Sequence, residues 1–180
     1  MGKDMTYAQW GKYSEHIGAW LQQLGLQKGD RVAIMMPNCT QYPILVAAIL
    51  RAGYCVVNVN PLYTATELTH QLNDSNAKAI FILENFAATL QHALPELKQL
   101  KHIVVSSLGD MLGLKGHIVN LVVRKIKKMV PDWHIDDTTS FKEVLSQGIR
   151  PRLKSHDAGC FVGMDLQNCL FQCIFQSHPR

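Results

Sequence analysis

Cys160, Cys169, Cys173 and His178 crowd the last stretch of the chain, and their types could bind a metal ion. Zinc takes four such donors, and structural sites supply the cysteines in pairs about two to four residues apart. Cys169 and Cys173 form one short pair and the other intervals match no pattern, so the sequence predicts no metal site. A second candidate is charge. Arg124, Lys125, Lys127 and Lys128 follow one another closely, with Lys115 further back. Leu114, Ile118, Leu121, Val122, Ile126 and Met129 fall at helical spacing beside them. A basic amphipathic helix can lie in a membrane interface and attract anionic lipid. It can also pack its stripe on the protein and leave its charges in water, which is the commoner outcome. A third candidate is the loop Asn60-Pro61-Leu62-Tyr63. Pro61 drives Asn60 out of the helical region, so the chain turns there. A loop following a strand in an open α/β sheet lies where ligands gather. Packing by Pro61 and Tyr63 is the plainer use, and we favour it. The eight histidines are scattered and form no catalytic string.

What must position these residues is an alternation of strands and helices. Four apolar runs read as strands, over 32–36, 55–59, 79–83 and 102–105. They are nearly continuous rather than alternating, which suits parallel strands covered on both faces. A first helix is expected over about 7–24, with Trp10, Tyr13, Ile17, Trp20, Leu21 and Leu24 on one stripe. Thr6 and Gln9 form a capping box at its start, and Gly25 suits a left-handed stop. Further helices are expected over about 41–52, ending at Gly53, over 66–75 with Thr64 and Glu67 as a box, and over 86–94. Leu114 to Val130 reads as a longer helix stopped by Pro131. Ser140-Phe141-Lys142-Glu143 reads as a further box opening a short helix to about Gly148. The alternation predicts a layered α/β domain with right-handed crossovers.

Composition narrows the classes. The chain has 180 residues, 47% hydrophobic and 18% charged, enough to bury a core. A net charge of +4 does not argue for nucleic acid. No stretch reaches the roughly 18 apolar residues of a membrane span. Met1-Gly2-Lys3-Asp4 leads into a polar helix and reads as no secretory signal. It matches a myristoylation start only loosely, and Thr6 has its use as a cap. Five cysteines without an export signal suit reduced thiols in the cytosol.

One set of segments says more. Lys28-Gly29-Asp30-Arg31-Val32-Ala33 leads into the first strand and Met36-Pro37-Asn38 follows it. Ile49-Leu50-Arg51-Ala52-Gly53 closes the second helix. Asn58-Val59-Asn60-Pro61-Leu62-Tyr63-Thr64 then leads to Glu67-Leu68 and His70-Gln71-Leu72-Asn73-Asp74-Ser75. In this order the segments resemble bacterial long-chain fatty-acid–CoA ligases, a branch of the acyl-adenylate-forming AMP-binding superfamily. The resemblance runs over about residues 4–150. It implies that 1–150 form part of the layered αβα N-terminal domain of those enzymes, and an incomplete one. It implies fatty-acid activation with ATP, magnesium and coenzyme A. It also implies a cytoplasmic enzyme with peripheral contact to the inner face of the membrane, through Arg124, Lys125, Lys127 and Lys128.

In that family a loop of the Tyr-Thr-Gly-Gly-Thr-Thr-Gly kind cradles the ATP phosphates, and Ser155-His156-Asp157-Ala158 reaches the corresponding place. Gly159-Cys160-Phe161-Val162-Gly163 follows, with no threonine–glycine run and no lysine. No catalytic, cofactor-binding or metal residue is therefore carried over, no cofactor is expected for this chain alone, and it is expected to be inactive. Residues 151–180 read as a linker and a tail without likeness or clear fold, in keeping with a frameshifted reading of a longer gene. Two other classes stand beside this one. A non-catalytic interaction fragment would co-purify with a partner. A nucleotide-binding oxidoreductase would need a Gly-x-Gly-x-x-Gly after a strand, and none is present.

Overall fold

The computed structural model describes residues 5–111, 116, 120, 121, 130–149, 152–154 and 161–163. Its centre is a six-stranded sheet: β1 (Arg31–Met35), β2 (Cys55–Asn58), β3 (Ala77–Leu83), β4 (His102–Ser106), β5 (Thr138–Ser140) and β6 (Phe161–Gly163). The spatial order is β5-β4-β3-β1-β2-β6, and every neighbouring pair is parallel. The helices are α1 (Tyr7–Leu21), α2 (Gln41–Arg51), α3 (Ala65–Asp74), α4 (Ala87–Ala93) and α5 (Phe141–Gln147).

The continuous apolar runs have the cause expected of them. Successive strand side chains point to opposite faces. Val32, Ile34, Val56, Phe81 and Val104 enter one core with Ile17 and Trp20 of α1, Ile44 and Leu45 of α2, and Phe141 of α5. Ala33, Met35, Val57, Ile80 and Ile82 enter the other, with Leu68 and Leu72 of α3 and Leu90 of α4. Both faces are covered, so neither set of strand positions can be polar. The α/β layered fold is as the sequence predicts.

Local signals set the helix ends. Thr6 with Gln9 and Thr64 with Glu67 form complete capping boxes. Ser140 accepts from the Glu143 N–H, but the returning half of that box does not form. The Glu143 carboxylate instead accepts from Gln147 Nε2 at 2.8 Å, one helical turn on. Helix α1 stops at Leu21, earlier than expected, because Gln23 and Leu24 bond back three residues to Trp20 and Leu21. Gly25, at φ +74°, then takes the chain out. The helix expected over 86–94 is tightened at both ends into short turns, Glu84–Phe86 and Leu94–Glu96, the second containing Pro95.

Two strands lie where no sequence pattern marked one. β5 pairs with β4, and β6 pairs with β2 inside the tail that read as unpatterned. Of the helix expected over 114–130, Gly116, Asn120 and Leu121 are helical. Lys115, Arg124, Lys125, Lys127 and Lys128 lie outside the described residues, as do Cys160, Cys169, Cys173 and His178. No described helix is long and apolar enough to cross a membrane.

Candidate functional site

The chain steps from β1 outward to β2, then returns past β1 to β3. The order therefore reverses between β1 and β3, and helices leave their carboxyl ends toward opposite faces. Open α/β sheets bind ligands in the crevice such a reversal leaves. Met36-Pro37-Asn38-Cys39 follows β1 there, and Glu84-Asn85-Phe86 follows β3. Glu84 is buried and both Glu84 and Asn85 have bonding partners. Burial pushes the Cys39 thiol above its ordinary pKa, against the pull of the Tyr42 and Gln41 N–H groups. It is thus a poor nucleophile at neutral pH, and it lies 3.8 Å from the Met36 sulfur.

The loop after β2 turns as Pro61 dictates. The Asn60 side chain accepts from the Leu62 N–H at 3.0 Å, and the Asn60 carbonyl accepts from the Tyr63 N–H at 3.2 Å. Tyr63 packs on the α3–α4 core, whereas Leu62 is 84% exposed. Gln71 of α3 reaches under the loop and donates Nε2 to the Asn58 carbonyl at 2.8 Å. Its Oε1 is buried and has no hydrogen-bond partner among the described residues. Tyr63 thus serves packing, and Gln71 fixes the end of β2.

A knot of polar groups follows β4. Asp110 accepts from the Ser107 N–H at 2.8 Å and from Ser106 Oγ at 3.4 Å. Lys142 of α5 places its ammonium 3.5 Å from the other carboxylate oxygen. Gln41, at the start of α2, donates to the Ser107 carbonyl at 3.0 Å. Asp110, Ser107, Trp133, Thr139, Lys142 and Glu143 border a cleft of about 590 Å³ beside this knot. That is a common size for a small-molecule site. Sequence reasoning passed over Asp110. The local signal was its place three residues after Ser107, a spacing that lets a carboxylate close a turn.

Magnesium with a triphosphate needs several oxygen donors converging with free lone pairs, and backbone N–H groups aimed at phosphate. No three of the described histidine, cysteine, aspartate and glutamate residues converge. Asp110 is engaged by a backbone N–H, a hydroxyl and an ammonium.

Comparison with known proteins gives these loops a context. The family model described as AMP-binding enzyme matches residues 1–138. A long-chain-fatty-acid–CoA ligase of Salmonella typhimurium is 51% identical over 152 residues, 83% of this chain and 27% of that protein. One from Haemophilus influenzae is 44% identical over 164 residues, 87% of this chain and 29% of that protein. The chain thus spans under a third of the relatives it matches. A crystal structure of a provisionally assigned long-chain-fatty-acid CoA ligase from Rhodopseudomonas palustris superposes with a TM-score of 0.66. That likeness covers 89% of this chain and 35% of the other at 21% identity, so it speaks for the fold.

Proposed function

The chain belongs to the AMP-binding enzyme family, and on that premise we propose that it is part of a ligase that activates long-chain fatty acids. The observation that carries this is its 51% identity with a long-chain-fatty-acid–CoA ligase. The reaction has two steps. The fatty-acid carboxylate attacks the α-phosphorus of ATP, the bond to the β-phosphate breaks, and pyrophosphate leaves. The thiol of coenzyme A then takes the acyl group and releases AMP. The first step brings two anions together, so it depends on alignment and on neutralisation by magnesium and aimed N–H groups.

Residues 5–111 supply the frame for this chemistry: β1 to β4 and the loops that border the switch crevice. Strand β6 runs parallel to β2, so Gly163 leads onto the same edge of the sheet. The segment that follows Ser155-His156-Asp157-Ala158 carries no threonine–glycine run and no lysine, which a phosphate cradle would need. We therefore expect the 180-residue chain alone not to turn over. ATP–pyrophosphate exchange with palmitate tests this, with background signal expected. Exchange above background would overturn the inactive assignment. The same proposal traces residues from about Gly159 to a shifted reading frame. An intact threonine–glycine loop in another frame of the DNA is expected, and its absence would end that part. Arg124, Lys125, Lys127 and Lys128 support peripheral contact with anionic lipid by their composition alone.

A further inference from the structure

At the amino edge of the sheet, opposite the switch crevice, residues 152–154 form a short strap pinned to α1. Leu153 turns onto the helix, its Cδ1 3.0 Å from where a Cβ on Gly18 would stand. Gln22 holds the next residue at both backbone groups. Its Nε2 donates to the Lys154 carbonyl at 2.8 Å, and its Oε1 accepts from the Lys154 N–H at 2.9 Å. The same Nε2 also reaches the Ala52 carbonyl at 3.3 Å, which ties the strap to the end of α2.

With Leu153 partly buried against α1, Arg152 and Lys154 both border a cleft of about 460 Å³. Lys28, Gln23 and Tyr54 stand on its other sides, and Ala19, Leu26 and Ala52 give it an apolar wall. No carboxylate is among the described residues lining it. Asp30 is the acid whose charge acts on Tyr54, and its Oδ2 is held by the Gln27 N–H at 2.8 Å. The cleft is thus a concave surface with cations at its rim and hydrocarbon at its back.

We propose that this cleft binds a small phosphorylated molecule. Arg152 and Lys154 take the phosphate oxygens, and Ala19, Leu26 and Ala52 face the carbon skeleton. Guanidinium matches phosphate in two parallel hydrogen bonds, and ammonium adds a point charge. A backbone held in place before binding loses less entropy when the ligand arrives. Nothing in this site depends on acyl activation at the opposite edge.

The test is an NMR titration of the full chain with inorganic pyrophosphate and, separately, with phosphatidylglycerol vesicles. Saturable shifts are expected at Gln22, Gln23 and Lys154 with pyrophosphate. The double variant Arg152→Ala/Lys154→Ala is expected to weaken binding about tenfold, two charge-assisted contacts being lost. Gln22→Ala keeps every charge but frees the strap, and is expected to weaken binding about threefold. Lys98→Ala, an exposed lysine elsewhere, is expected to leave it unchanged. The proposal is overturned by absence of saturable shifts, by binding retained in the double variant, by shifts gathered around Asp110 instead, or by response to vesicles alone.

Discussion

Trp20 donates its indole N–H to the side-chain oxygen of Gln147 at 3.0 Å, joining α1 to α5 across most of the chain. The Trp20 ring meets Phe81 of β3 edge-on, with centroids 6.4 Å apart and planes at 68°. Gln147 in turn donates to Glu143. One aromatic residue therefore locks the last described helix onto the first and both onto the sheet. Replacing Gln147 by alanine leaves the buried indole N–H without its acceptor, at a cost of about 1–3 kcal/mol. Trp20→Phe removes the donor as well, so the double variant should lose less than the sum of the two. Urea unfolding of the four proteins measures that coupling; strict additivity would show that the bond contributes nothing.

Gly148 ends α5 against the backbone of α1. A Cβ there would collide with the His16 carbonyl. Backbone cannot swing aside as a side chain can, so Gly148→Ala should push the helices apart and cost about 1–3 kcal/mol. A thermal melt reads the loss, and an unchanged midpoint would contradict the close approach.

Asp110 and Lys142 form an ion pair of unequal partners. The lysine side chain is half exposed and the aspartate side chain is 8% exposed. Solvent screening leaves about 0–1 kcal/mol for Lys142→Ala. Asp110→Ala strands the Ser107 N–H and is expected to cost about 1–3 kcal/mol. Chemical denaturation of both variants should show this order, and the reverse order would make the ion pair the stronger element.

The α3 capping box carries a pH signature. Thr64 donates from its N–H and its hydroxyl to Glu67 Oε2, both at 2.8 Å, and these bonds hold the Glu67 carboxyl below its ordinary 4.5. A carboxyl lowered by folding contributes stability that is complete above its unfolded value and is lost as pH falls through the folded one. Thr64→Ala should cost about 1 kcal/mol at neutral pH, as a lost cap does. That deficit should narrow in acid, below 4.5, as Glu67 takes its proton in both proteins. Paired unfolding curves across the acid range would reveal a constant gap if the bonds did not favour the charged form.

The four inner strands were legible because burial on both faces leaves no room for polar residues. Ala79-Ile80-Phe81-Ile82-Leu83 has every position in one core or the other. β5 is Thr138-Thr139-Ser140, polar and at the rim, and the backbone of β4 recruits it without any apolar signal. β6 is three residues long, too short to show a period, and β2 sets its register. The Asn60-Pro61 turn could be foreseen because proline acts on its own neighbour. The Asp110 knot could not, because Gln41 and Lys142 come from helices remote in sequence and meet it only after the sheet has formed.

The strand order also bears on how the chain assembles as it leaves the ribosome. β1 to β4 pair among themselves within residues 31–106, each joined to the next by one helical crossover. Val56, by contrast, must wait for Phe161 to be synthesised before β2 gains its outer neighbour. Closing so long a loop is entropically costly and yields three residue pairs. A nascent chain can thus bury its central unit early, while the outer side of β2 stays open to other extended segments until translation is well advanced.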